Sequence, residues 1–383
     1  AYYKGELSTA YSYLQNRFGN KTRSLASVTF LFTRTAADGV RLFATAIPLY
    51  LMLDISPMIA IVMIAIVALL YTFTGGLKGV IWVDAIQLFI YIGGAILAGY
   101  YLISNIPGGL GEVLSSTQIS SKFSVLNFGF ENGFAGFFSQ PYTLLSGLIG
   151  GAFLSMSSHG TDQLIVQRLL AAKNLAESKK AIITTGVIII FQFALFLVVG
   201  VLLYAYYGPL DIKSDEIFSK FIIEVLPSGV KGIIIAGLFA AALSTLAGSI
   251  TSLSSSVMLD LYIPFKKSVD ETKNLFISKM LTIFWAVMLI FSAFIFMESS
   301  KAVVELALSI ASFTYGGLLG TFLLGLSNQR IKQNHAIAGF IAAIVAMSFI
   351  IIFKVVAWTW FILIGVFITL LVGNLFEMIT RKR

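Results

Sequence analysis

The stretch LFTRTAADGVRLF, residues 31–43, runs between SLASVTF (24–30) and ATAIPLYLML (44–53). With both apolar flanks it is long enough to span a bilayer, which takes about 20 residues. Yet Arg34, Asp38 and Arg41 stand in its middle. At i, i+4 and i+7 they share one face of an α-helix. With a rise of about 1.5 Å per residue, Arg34 lies on the order of 16 Å from a helix start at residue 23, near the midplane. A charge there costs at least a few kcal/mol against lipid, so the face must turn into a helix bundle or a hydrated cavity. Either Asp38 neutralises both arginines and the trio only fixes packing, or the trio walls a solute path.

The composition fits a membrane protein. Hydrophobic residues make up 58% of the 383 and charged ones 11%, with mean hydropathy +0.92; soluble chains carry roughly 25% charged residues. Cysteine is absent, which excludes disulfides and thiolate chemistry. Two histidines, His159 and His335, are too few for a histidine-rich metal site. The net charge of +8 reads as basic cytoplasmic loops, not nucleic-acid binding. The chain starts without Met or a signal-peptide pattern, and an N-terminal part is expected to be missing.

Ten spans are expected, at 23–54, 57–77, 80–104, 138–158, 180–207, 229–260, 273–297, 302–326, 333–353 and 356–379. The helix 229–260 is expected to end in an interfacial turn at Asp260. With the N-terminus cytoplasmic, eighteen of the 26 Lys and Arg fall on the cytoplasmic side and six outside, leaving Arg34 and Arg41 in the membrane. That bias supports the span count and places both termini in the cytoplasm. No low-complexity linker divides the chain, so 1–383 reads as a single transmembrane domain.

Three further polar sites interrupt the apolar helices. Asp84, with Gln87 beside it, is either an acid solvated at the interface or a carboxylate near a cation or proton exit path. The stretch AALSTLAGSITSLSSSVMLD (241–260) holds eight Ser or Thr. Small hydroxyl residues let helices pack closely; Ser244 and Thr245 could equally supply the hard oxygen ligands that sodium prefers. In SMSSHGTDQLIVQRLLAAKN (155–174), Gly160 is expected to break or bend the helix. That is either an ordinary helix end or a break that offers backbone groups to a solute. His159 is a capping or packing residue, or a proton carrier.

No nucleophile–base pair, HExxH or Walker loop is present, so an enzyme is not expected. A channel would show a charged ring or a carbonyl filter. A secondary transporter remains.

TDQLIVQRLLAAKN (161–174), FTRTAAD (32–38) and AALSTLAGSITSLSSSVMLDLY (241–262) resemble the sodium:solute symporter family, especially its sodium/sugar branch. YSYLQNRFGN (11–20) and YTFTGGLKGVIWVDAIQ (71–87) match in kind and order. The resemblance implies an all-α integral membrane protein with the leucine-transporter fold of two inverted five-helix repeats. It makes 23–104 the remnant of an incomplete first repeat, 138–326 the second, and 333–379 peripheral. The chain start then corresponds to the loop after core helix 2, with core helices 1 and 2 lacking, so the 383 residues alone are not expected to transport.

Carried over by position, Ala241 offers a carbonyl to sodium, Ser244 and Thr245 offer hydroxyls, and Asp84 lies on the sodium path. Family members with a second sodium site use hydroxyls where Ala247 and Gly248 stand here, so one sodium per cycle is expected. The third-helix solute contact maps to Arg34 or Ala37, with Asp38 and Arg41 on the same face. Ser155, Ser158 and His159 line the pocket from the sixth core helix, and Ser309, Ser312 and Tyr315 from the tenth. Ser158 replaces a gating aromatic, which argues against a neutral hexose, whereas a guanidinium fork suits a carboxylate. The expected function is sodium-coupled symport of a small polar solute, a sugar or sugar-like acid, across a plasma membrane, with a bacterial inner membrane favoured. The alternatives are a proton-coupled transporter of the same fold for an organic anion or nucleobase-like solute, and a non-transporting sensor or structural protein.

Overall fold

The computed structural model describes residues 2–4, 9–74, 77–116, 119, 121–123, 126–131, 133–266, 271–299 and 301–381, with side chains at 4, 74–84, 121 and 134–135 excepted. The Asp84 side chain therefore lies outside the described residues. Thr9 starts a short helix, α1 (Ala10–Phe18), by accepting from Ser12 N at 3.1 Å. After Gly19, α2 (Asn20–Leu53) runs for 34 residues. That is roughly 51 Å of helix, more than a hydrocarbon layer of about 30 Å, so α2 tilts or protrudes.

The helices α3 (Pro57–Thr74), α4 (Leu77–Asn105), α5 (Gly109–Ser115) and α6 (Gly133–Ser139) follow. A π-helical run, Ser146–Gly150, leads into α7 (Gly151–Thr161), and α8 (Gln163–Leu170) comes next. Then come α9 (Leu175–Tyr207), α10 (Ser214–Glu224), α11 (Ser228–Ser256) and α12 (Glu271–Phe296). The chain ends with α13 (Val303–Ser327), α14 (Gln333–Ile352) and α15 (Phe361–Arg381). Among the described residues, eight helices are long and apolar enough to cross a membrane, and Pro57–Phe73 is a shorter apolar one.

Three expectations change. The span 138–158 is not one helix. Pro141 lacks the N–H a helix interior needs, and Thr143 and Ser146 bond each other's backbone N–H at 3.0 and 3.2 Å, starting a new helix there. Gly160 does not break α7, which continues to Thr161; the break falls at Asp162, extended at φ −78°, ψ 123°. Asp260 does not close the helix in an exposed turn. The α11 helix widens into a π-helical turn, Val257–Tyr262, and Asp260 is buried there against Arg23.

The α11 helix is the spine of the bundle. Its N-terminal half packs Ile234 and Ile235 with Leu102 of α4, Leu202 of α9 and Phe221 of α10. Its C-terminal half packs Leu246, Ile250 and Leu253 into a larger core with α1, α2, α3, α12 and α13. On its far side α2 approaches α12 closely at Gly39, where a Cβ would fall 2.1 Å from Ser292 Oγ and 2.8 Å from its backbone carbon. That contact fixes the rotation of α2 and so aims Arg34 and Asp38.

The two ends of the bundle differ. At the end holding the chain start, Arg17 donates to three carbonyls, Gly325 at 3.1 Å, Asn328 at 2.6 Å and Ile331 at 3.2 Å, satisfying the end of α13. Tyr2 donates to Gly160 O at 2.5 Å and Tyr3 to Leu169 O at 2.7 Å. At the opposite end α10 is tied down by Tyr50, which donates to Glu216 at 2.6 Å, and by Asp215, which accepts from Val303 N at 3.1 Å. We call the first the basic end, since most Lys and Arg of the loops lie there.

Candidate sodium and solute site

Four elements converge on one buried polar cluster. From α2, Arg34 Nε donates to Asp38 Oδ2 at 2.6 Å, its Nη1 to Asp162 Oδ2 at 3.4 Å, and its Nη2 to Ser249 Oγ of α11 at 3.2 Å. From α13, Tyr315 OH donates to the same Asp162 Oδ2 at 2.5 Å. Asp162 stands between α7 and α8, and its Oδ1 caps α8 by accepting from Leu164 N at 2.8 Å and Ile165 N at 3.4 Å. Asp38 is fully buried and also accepts from Arg41 Nη1. Each buried charge thus has an opposite charge or a donor beside it, as burial demands.

The two arginines are not equivalent. The Arg34 side chain is 10% exposed and every one of its nitrogens has a partner within the protein. The Arg41 side chain is 39% exposed and spends one nitrogen on Asp38.

The three expected sodium residues stand between one and just over two helical turns from Ser249 along α11. Ser244 is fully buried, and half-buried Thr245 donates to Ala241 O at 2.9 Å. That bond uses the hydroxyl proton and leaves the Thr245 oxygen lone pairs available. Three hard oxygens within one turn suit sodium as far as they go, and a hard cation takes about six, so further ligands must come from beyond this turn. The next turn is unsuited: a Cβ on Gly248 would lie 3.0 Å from Arg168 Nη2, and a guanidinium repels a cation.

The remaining expected residues divide. Tyr315 joins the cluster, and the buried Ser312 hydroxyl one turn away has no hydrogen-bond partner among the described residues. Ser309 donates back to Leu306 O at 2.9 Å. On α7, Ser158 and His159 bond each other at 3.0 Å and both reach Ser155 O, at 3.2 and 3.0 Å. Among the described residues these hydrogen bonds stay within α7, and none goes to Arg34, Asp38 or Arg41. It is Ser157 that touches the facing helix, donating to Tyr315 O at 3.0 Å.

The model of the sodium:solute symporter family matches residues 2–343. The chain belongs to the sodium:solute symporter family. It is similar to the sodium/sialic acid symporter NanT of Aliivibrio fischeri, 28% identical over 97% of this chain and 74% of that protein. It is also 28% identical to the sodium/sialic acid symporter SiaT of Proteus mirabilis, over 90% of this chain and 70% of the relative. A solved structure of a Na+-coupled sialic acid symporter, substrate-bound and outward-open, with a novel Na+ site, matches with a TM-score of 0.85 at 26% identity. The match covers 99% of this chain and 78% of that one. This symporter is therefore a multi-pass membrane transporter that couples solute to sodium, and not an enzyme.

Sequence reasoning missed the symporter's Asp162, Ser157 and Ser249 as site residues. Asp162 sits inside TDQLIVQR, the most specific stretch of the resemblance, and an acid at the end of an apolar helix was the available signal. Tyr11 was missed too. Its hydroxyl is fully buried without a hydrogen-bond partner. Burial first, then the negative charge of Asp162, pushes its acidity far down, so it stays a proton donor.

Proposed function

We infer that this symporter carries a small organic acid, a sugar or sugar-like acid, together with one sodium ion by alternating access. The observation that carries the reading is Arg41, whose side chain is 39% exposed with one nitrogen on Asp38, and whose guanidinium fork suits a carboxylate. The sodium/sialic acid relatives point the same way, since sialic acid is a sugar acid. Sodium would sit at Ala241 O, Ser244 Oγ and Thr245 Oγ1, and leave past Asp84. A single ion is favoured because Arg168 occupies the space beside Gly248. Ser155, Ser158, His159, Ser309, Ser312 and Tyr315 would wall the solute path, with Arg34 bracing it. The basic end is cytoplasmic, with both termini of this chain there, in a bacterial inner membrane. Residues 23–104 would be the remnant of the first repeat and 138–326 the second.

The melting temperature in sodium chloride against potassium chloride at equal ionic strength tests the ion site. An ion that fills a folded site at tenfold Kd stabilises by roughly 1.4 kcal/mol. A sodium-specific rise that Thr245→Ala abolishes is expected; equal melting in both salts overturns the site. Sodium-driven uptake of sialic acid by the intact transporter, core helices 1 and 2 included, blocked by sugar acids and not by neutral hexoses, is expected; blockage by hexoses alone overturns the carboxylate assignment.

A further inference from the structure

Two buried ion clusters are stacked along the seam between α2 and α11, on the basic-end side of the sodium residues. Arg34 and Arg23 are eleven residues apart in sequence, roughly 16 Å along a helix. Between them Ser27 and Ser256 bond at 2.8 Å and close the seam. The lower cluster is saturated. Asp260 takes Arg23 Nε at 2.8 Å, Thr9 Oγ1 at 2.7 Å and Ser256 Oγ at 3.0 Å, while Arg23 also holds Gln15 and Leu259 O. Removing Arg23 or Asp260 there strands the other's charge.

The upper cluster is built otherwise. The Arg34–Asp162 contact, at 3.4 Å, is the long one, and Arg34 keeps Asp38 at 2.6 Å if it lets go. Asp162 also has a second place to turn. Ala10 N donates to Gln163 Oε1 at 2.7 Å, which seats α1 against the start of α8 and brings its neighbour Tyr11, whose buried hydroxyl has no hydrogen-bond partner among the described residues, beside the Asp162 joint. Asp162 further stands at the non-helical joint between α7 and α8, where a small backbone rotation swings one helix against the other. A contact with a fallback on each side, at a hinge, can open at little cost.

We propose that Asp162 is a positioning residue of the transport cycle, the latch of the basic-end gate. Its carboxylate pins the α7–α8 joint to Arg34 and Tyr315 while sodium and solute load from the opposite side. When the basic end opens, the carboxylate leaves Arg34 and accepts from Tyr11 instead. The proposal rests on alternating access, the reading given above.

The chain has no cysteine, so a single Ser252→Cys gives one thiol without background. Ser252 is fully buried in the seam, between Ser249 of the upper cluster and Ser256 of the lower. Its labelling by a membrane-impermeant maleimide, added at the basic-end side of vesicles, reports opening at that end. Asn caps helices as well as Asp does, so Asp162→Asn removes the charge and keeps the cap. Labelling should speed up at least about tenfold, the factor one charge-assisted hydrogen bond is worth. Tyr315→Phe, a milder change should Asp162→Asn fail to fold, should raise it less. Tyr11→Phe should slow labelling, an effect that a merely structural tyrosine with an idle hydroxyl would not have. An unchanged rate in folded Asp162→Asn reduces Asp162 to a helix cap and overturns the latch; an unchanged or faster rate in Tyr11→Phe overturns the handover. Sodium is the separate control on the cycle. If it leaves wild-type labelling unaltered while Asp162→Asn speeds it, the latch stands and sodium-driven alternation falls.

Discussion

Arg23 and Arg34 lie on the same helix, both buried and both facing α11, yet they are held in opposite ways. Arg23 meets Asp260 in a cluster where each oxygen and nitrogen already has its partner, drawn from α1, α2 and the end of α11. Arg34 shares Asp38 with Arg41 on its own helix and reaches Asp162 across a longer gap. The difference teaches that burial alone does not make a charge a fixture. What matters is whether the partners can be exchanged without exposing a bare charge to a medium of low dielectric.

Substitutions sharpen that contrast. The largest effect is expected from Arg23→Ala, which leaves Asp260 buried and uncompensated; about 3–5 kcal/mol of stability should be lost. Arg34→Ala should cost clearly less, because Asp38 keeps Arg41 and Asp162 keeps Tyr315 and its cap. Thermal unfolding of the two purified variants in one detergent checks the order, and equal losses would erase the distinction. Arg41→Ala should leave melting nearly unchanged and weaken solute binding by about 1.5–3 kcal/mol, the worth of a hydrogen bond to a charged group. Binding titrations with a sugar acid at saturating sodium measure it, and Arg41→Lys should restore part.

Gly39→Ala tests whether the cluster depends on the seating of α2. The added methyl would overlap Ser292, and overpacking costs about 1–3 kcal/mol. The double change with Ser292→Ala should recover part of the loss. The smallest effect belongs to the opposite end. Burial holds the Asp215 carboxyl above the usual carboxylate range, only partly offset by the bond from Val303 N. Its neutral form is therefore favoured in the folded protein, so its contribution is greatest at low pH and is lost as pH rises through the elevated folded value. Asp215→Asn should flatten that part of the stability–pH curve, read from melting temperatures across the acidic range.

Much of the fold was legible in particular residues. The apolar runs around 24–53 and 175–207 had to be spanning helices, because nothing else satisfies backbone groups in lipid. The spacing of Arg34, Asp38 and Arg41 put them on one inward face, where Asp38 bonds both arginines. The burial of Asp260 was not legible: its place at the end of an apolar run suggests an interfacial turn, and its partner Arg23 lies 237 positions away in the chain. The break near Gly160 was misplaced by two residues, because the glycine signal outweighed Asp162, a far better cap. Ser155, Ser158 and His159 shared a stretch with Ser157, but the rotation of α7 sent only Ser157 toward Tyr315.

By itself the sequence determined that this is a bundle of membrane helices, that its buried charges turn inward, and that 161–174 and 241–262 carry the marks of sodium-coupled transport. Composition, periodicity and local motifs are properties of neighbours along the chain, and lipid leaves the backbone few alternatives. Only the tertiary structure decided that Arg34 is enclosed and Arg41 open, that Asp162 joins three helices, and that Tyr11 is buried without a partner. Those depend on which helix faces which and at what rotation. Contacts between residues well over a hundred positions apart settle that, and no local pattern records them.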